Sequence, residues 1–284
     1  MVHCVFSVVL CEIKKITQIY TEKARSATEG NMNLSSIVIA KDEENNLKRC
    51  LDSQQGIIDD IVVLVDSRST DKTFEFASSY TNVNCELADW QGYGTTKNLA
   101  ISKTQNDWVF WIDADEEITP ELKEELKLFK ESDPSLNSYS VARRAYFLGK
   151  WIKHSGWYPS RVVRLFDKNH AKFNEKSVHE NIEVDGSIGT LKHDLNHYTD
   201  PSIEHYFKKF NNYTTLAAED LYAKNKKALI WDIIIRPLFL FAKMYIFKLG
   251  FLDGLHGLIL AVFSSAYVFT KYCKLWELNR TGAK

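Results

Sequence analysis

Four short apolar runs, LSSIVIA at 34–40, DDIVVLVD at 59–66, VNCEL at 83–87 and WVFWI at 108–112, alternate with segments of helical periodicity. A strand buried on both faces needs such a run, and parallel strands must be joined by a crossover, which a helix supplies. KDEENNLKRCLDSQ reads as one such helix, with Leu47, Cys50 and Leu51 at i, i+3 and i+4. STDKTFEFASSY, opening on Ser and Thr as caps, and YGTTKNLAISKT read as the next two. A fourth is capped by Thr119, with Pro120 at its first position and Leu122, Leu126 and Phe129 on one face. The alternation predicts an α/β fold, a mostly parallel sheet flanked by helices. Such sheets bind ligands beyond the carboxyl ends of their strands, where Asp66 and Asp113 stand.

The pattern changes along the chain. Residues 138–198 break into short strand-like pieces rich in aromatics, a mixed β region able to form a substrate pocket, and helical periodicity returns after Pro201. From Lys224 to Lys284 ten Lys or Arg face three Asp or Glu, so the net charge of −1 hides a basic, apolar tail on an acidic body. Residues 254–270 lack charge, but at 17 they fall short of the roughly 20 a membrane-spanning helix needs. The tail is therefore read as helices on or dipping into a bilayer interface, with helices packed on the main body as the alternative. Residues 1–31 read as an extension upstream of a true start at Met32, residues 32–200 as the main domain, and 201–284 as a helical, membrane-associating region. Five scattered cysteines without a C-x-x-C pair argue against a zinc site or a disulfide scaffold.

The strand WVFWI ends in Asp113-Ala114-Asp115-Glu116-Glu117. Repulsion among four carboxylates must be offset, and two hard oxygen ligands at i and i+2 of an extended segment suit Mg²⁺ or Mn²⁺. An EF-hand loop is excluded by Ile118 at its sixth position, and a haloacid-dehalogenase-type phosphatase is disfavoured by Glu117. His193 and His197 have zinc-helix spacing but lack the adjacent Glu of a metalloprotease. Arg161 and Arg164, three apart in RVVRLF, suit a diphosphate or an anionic acceptor, though on a strand they face opposite sides. Trp151, Trp157 and Tyr158 are candidates for stacking on a sugar ring.

SIVIAKDEENNLKRCLDS, VVLVDSRSTDKT, QGYGTTKNLAI and WVFWIDADEEI, in that order, resemble the inverting family-two glycosyltransferases with the GT-A fold over roughly residues 33–200. GKWIKHSGWYPSRVVRLFD, VHE and KLGFLDGLHGL are similar to the bacterial branch containing the lipopolysaccharide-core β-1,4-glucosyltransferases. The resemblance implies that Asp66 contacts the nucleoside, although Ser67 and Arg68 depart from the commonest following pair. It implies that Lys97 and Asn98 approach the nucleotide, that Asp113 and Asp115 bind the metal, and that Glu180 in VHE is the acceptor-activating base. His197 resembles a late histidine that adds a metal ligand in some relatives. The expected activity is transfer of a sugar, glucose foremost, from a UDP-sugar to a lipopolysaccharide-core or other lipid-linked acceptor. It would be Mn²⁺- or Mg²⁺-dependent and carried out at the inner face of the bacterial cytoplasmic membrane, without a nucleic-acid partner. A metal-dependent phosphohydrolase using the same D-x-D and a non-catalytic nucleotide-sugar-binding protein are the rival readings.

Overall fold

The computed structural model describes residues 32–174 and 181–282. The extension 1–31 and Glu180 lie outside the described residues. The first half alternates as expected: β1 (Leu34–Ala40), α1 (Glu44–Gln54), β2 (Asp60–Asp66), α2 (Thr73–Ser78), β3 (Val83–Ala88), α3 (Tyr93–Ser102) and β4 (Trp108–Trp111). These strands run parallel in the order β3-β2-β1-β4. The start of α2 differs from expectation. No Ser or Thr caps it; the Asp71 carboxylate accepts the Thr73 N–H at 3.0 Å instead, since a carboxylate one residue before the N-cap reaches the orphan donors of the first turn.

Two short pieces follow, β5 (Glu116–Ile118) and α4 (Pro120–Lys130), the latter capped as expected by Thr119, whose Oγ1 accepts the Leu122 N–H. The aromatic region then gives β6 (Ser138–Phe147), β7 (Lys150–Trp151), β8 (Ser160–Asp167), β9 (Ala171–Phe173), β10 (Ile182–Val184) and β11 (Gly189–Asp200). It does not stand apart. β8 pairs antiparallel with β4 and carries the sheet on through β6, β11 and β5, so nine strands form one mixed surface. Helices α1 and α4 cover one face through Leu47, Cys50, Leu51, Leu122 and Leu126, all fully buried. Helix α3 and the small β9–β10 hairpin cover the other through Ala100, Ile101 and Phe173. Each buried leucine contributes about 2 kcal/mol.

The tail comprises α5 (Ile203–Ala223), α6 (Ile230–Ala242), a π turn (243–247), a 3₁₀ turn (250–253) and α7 (Leu255–Thr281). It packs on the sheet's end through Phe147, Ile152, Met244, Leu260 and Ala261. The loop from β7 to β8 is bolted to the turn before α7. The Asp253 carboxylate accepts the N–H groups of Lys153 and His154 at 3.2 and 2.9 Å, the Ser155 N–H donates to the Lys248 carbonyl, and Lys150 Nζ to the Asp253 carbonyl. A Cβ on Gly257 would lie 1.9 Å from the Gly250 carbonyl oxygen, so this close approach requires glycine. The opposite side of α6 leaves Ile230, Trp231, Ile234, Ile235, Leu238 and Phe239 exposed. Among the described residues, α7 is the one helix long and apolar enough to cross a membrane by length and composition.

Candidate active site at the strand tips

Beyond β4 the chain leaves the sheet in a tight turn, closed by the Glu116 N–H donating to the Asp113 carbonyl at 2.9 Å. This corrects the extended D-x-D: a turn sends the two aspartates to different partners. Asp113 accepts Arg164 Nη2 at 2.9 Å, and Lys97 Nζ lies 3.9 Å from its other oxygen. Asp115 Oδ2 lies 3.4 Å from His197 Nε2. Glu116, one of the four carboxylates of the run, lies in β5 and is fully buried; its carboxylate accepts Arg164 Nη2 at 2.5 Å and the Asp113 N–H at 3.0 Å.

Arg164, also fully buried, places its Cζ 3.5 Å from the centre of the Trp111 ring, and Lys97 Nζ sits 3.8 Å from the same centre. Trp111 is fixed by its indole N–H, which donates to the Val163 carbonyl. Two cations over one half-buried ring, next to buried Glu116 and half-buried Asp113, make a dense electrostatic knot, since reduced solvent contact strengthens each attraction. Burial opposes ionisation of Asp113, but Arg164 and Lys97 outweigh it and hold the carboxyl well below the usual range. At Glu116 burial prevails over Arg164, and the carboxyl is pushed up. Burial likewise opposes charge on His197, yet the hydrogen bond to Asp115 wins and raises the imidazole pKa.

The register explains the grouping. Glu116 pairs with His197, His197 with Ala145, and Arg143, two residues before Ala145, with Ser160. Directly paired residues share a face, so β5, β11, β6 and β8 gather Glu116, His197, Arg143 and Ser160 on one side. A cavity of about 260 Å³ opens there, lined by Arg143, Ala145, Gly156, Trp157, Ser160, His197 and Thr199. A larger open depression of about 560 Å³ between α1 and α4 is lined by none of the expected site residues.

Asp66 ends β2, nearly buried, its carboxylate gripped by Arg68 through Nε at 2.9 Å and Nη2 at 2.7 Å. That bonding lowers its pKa to about 2. The loops after β1 and β2 are zipped together: Asp42 accepts the Thr70 N–H, Thr73 Oγ1 the Glu43 N–H, and Glu44 the Lys72 N–H.

Two other expectations change. The Asn98 amide donates to the Phe173 carbonyl at 2.8 Å and accepts the Phe173 N–H at 2.9 Å, so it pins α3 to β9, with one of its two N–H groups engaged there. Arg161 is exposed and donates to the Leu191 carbonyl; only Arg164 reaches the acids, as opposite faces of a strand require. Of the three aromatic candidates, Trp157 alone lines the cavity, while Trp151 and Tyr158 pack edge to face on each other. Sequence reasoning missed Glu116, Arg143 and Trp111.

Among the described residues no three His, Cys, Asp or Glu side chains gather as a metal cluster. Of the expected metal ligands, Asp113 gives one oxygen to Arg164 and has Lys97 3.9 Å from the other. Asp115 and His197 do fit a divalent cation: one hard oxygen and one imidazole nitrogen, with remaining positions open to phosphate and water, is the sparse set Mg²⁺ or Mn²⁺ takes beside a nucleotide.

Residues 35–199 match the family described as Glycosyl transferase family 2. The chain belongs to that family. It is a glycosyltransferase, and the phosphohydrolase and non-catalytic readings are set aside. The lipopolysaccharide core biosynthesis glycosyltransferase LpsC of Rhizobium meliloti is 27% identical over 257 residues, covering 88% of this chain and 94% of that protein. The glycosyltransferase RT0209 of Rickettsia typhi is 30% identical over 263 residues, with 87% of each chain covered. Among solved structures, the mannosyltransferase PcManGT of Pyrobaculum calidifontis, in complex with GDP-Man and Mn²⁺, is 13% identical with a TM-score of 0.49, covering 96% of this chain and 98% of that one.

Proposed function

We propose that this glycosyltransferase moves a sugar, glucose from UDP-glucose foremost, to a lipopolysaccharide-core or other lipid-linked acceptor with inversion at the anomeric carbon. The observation that carries the reading is the division of labour within the acidic turn. Asp113 is locked by Arg164 and Lys97, while Asp115 faces His197 at the cavity's edge. Asp115 and His197 would hold a divalent cation, which would supply charge neutralisation for the departing diphosphate. Lys97 adds a fixed positive charge beside that path, and Asp66 with the zipped loops forms the wall for the nucleoside. The acceptor hydroxyl must lose a proton, and Glu180 is assigned that role from its VHE setting. The core acceptor is supported by the similarity to LpsC, a lipopolysaccharide core biosynthesis glycosyltransferase, over nearly its whole length.

The tail supports action at the inner face of the cytoplasmic membrane. Exposed Trp231, Phe239, Phe247 and Phe251 lie among Lys224, Lys226, Lys227, Lys243 and Lys248, the pairing of apolar anchors with cations that suits an anionic bilayer surface. The C-terminal end of helix α7 is tied to the body, its Lys274 donating to Asn211, Thr214 and Thr215 of α5. The test of the chemistry is Asp115→Ala: isothermal titration of UDP with Mn²⁺ should lose its metal-dependent component, and sugar transfer should fall at least a hundredfold. Metal-dependent UDP binding that survives in Asp115→Ala refutes the assignment.

A further inference from the structure

The cavity over β8, β6 and β11 holds a cation that the protein leaves poorly satisfied. Arg143 sits 3.7 Å from Glu116 and donates to Ser160 Oγ at 3.4 Å, both long contacts, and its buried Nε has no partner. Glu116 already has a close counter-ion in Arg164 at 2.5 Å, so Arg143 is not required for charge balance there. The neighbouring Arg144, on the opposite face, shows what a satisfied arginine looks like, with Nε 2.8 Å from Asp194. The described residues lining the cavity include no carboxylate: Arg143 supplies the positive charge, Ser160 and Thr199 supply hydroxyls, and Trp157 an aromatic surface. A planar fork of unfilled donors beside an aromatic plane is the chemistry that recognises a sugar bearing a carboxylate or a phosphate.

The cavity also lies away from the wall assigned to the nucleoside. The zipped loops, Asp66 and Lys97 belong to the β1–β3 side of β4, whereas Arg143, Ser160 and His197 stand on β6, β8 and β11 on its other side, with His197 at the border with the diphosphate position. At about 260 Å³ it has room for a sugar ring rather than a nucleotide. We propose that this cavity is the acceptor subsite and that Arg143 there binds an anionic substituent, carboxylate or phosphate, on the acceptor sugar. The proposal rests on the transferase reading above and adds the acceptor's charge to it.

The experiment uses the full chain saturated with UDP and Mg²⁺, so that the diphosphate position is filled, and measures binding of glucuronate, glucose 6-phosphate and glucose by saturation-transfer NMR. At least one charged sugar should bind tenfold to a hundredfold more tightly than glucose, the range expected of a charge-assisted hydrogen-bonded pair. Arg143→Gln should level the three, and Arg143→Lys should keep part of the preference, with thermal unfolding checking that both variants are folded. Equal binding of all three sugars by the wild type, or an unchanged preference in Arg143→Gln, overturns the proposal. So does a charge preference seen only without UDP, or a fall in UDP affinity in Arg143→Gln, because the anion site would then belong to the donor diphosphate. UDP affinity in the wild type, read by calorimetry on the same samples, tests the donor reading separately.

Discussion

Replacing Arg164 by alanine removes the side chain that serves both the buried Glu116 and the half-buried Asp113. Asp113 and Glu116 both bond to its Nη2, and its guanidinium lies over Trp111. Removing one partner of a buried ion pair costs about 3–5 kcal/mol, because the remaining charge stays desolvated. At roughly 2–4 °C per kcal/mol for a chain of this size, a loss of about 4 kcal/mol lowers Tm by about 8–16 °C. The pH dependence distinguishes electrostatics from simple loss of packing. Glu116 has a raised pKa in the fold, so its native state binds the extra proton and its contribution falls as pH rises. Asp113, held low by burial's defeat at the hands of Arg164 and Lys97, contributes stability above its unfolded value that would be reduced without Arg164. Both signs agree: the damage should grow with pH, beginning below the usual carboxylate range, where Asp113 gives up its proton, and rising further through neutral pH, where Glu116 does. Urea unfolding of wild type and Arg164→Ala across that range measures it, and Arg164→Met with Glu116→Gln should recover much of the loss at neutral pH. A cost below about 1 kcal/mol at pH 7, or one that is flat with pH, refutes the reasoning.

Asn98→Ala should cost about 2 kcal/mol for its two bonds to Phe173, yet leave UDP affinity within twofold; a stable variant that loses UDP would return Asn98 to the nucleotide. Gly257→Ala must push the Gly250 carbonyl aside and should cost at least about 1–3 kcal/mol, read as a lower Tm and earlier proteolysis near residue 250. Trp231→Ser with Phe247→Ser should reduce co-sedimentation with phosphatidylglycerol vesicles without changing UDP binding; unchanged sedimentation assigns no membrane role to that face.

The parallel half of the fold was legible because each strand there is a continuous apolar run, a signal that survives without knowledge of partners. Leu47, Leu122 and Leu126 announced their buried faces by helical spacing for the same reason. β5 was not legible. Three residues, EEI, have no period to read, and Glu116 is buried only because β11 brings His197 alongside and β8 brings Arg164. The acidic turn could be found, but its internal division could not, since the partners of Asp113 and Asp115 come from α3, β8 and β11, 16 to 82 residues away in the numbering. Asn98 misled for a related reason: an amide beside a nucleotide-facing lysine looks functional until the backbone of Phe173 is found against it. Arg143 carried a weak signal, as the first of two adjacent arginines on a strand, which must part to opposite faces.

The fastening of Asp253 and Lys248 to residues 150–155 makes the cavity's mouth and the exposed side of the tail parts of one rigid piece. An enzyme seated on a surface by that side therefore holds its opening at a set height and tilt. On a glycan rising from a lipid, distance from the bilayer then becomes a selection rule of its own: sugars too near or too far are refused by reach before chemistry is consulted.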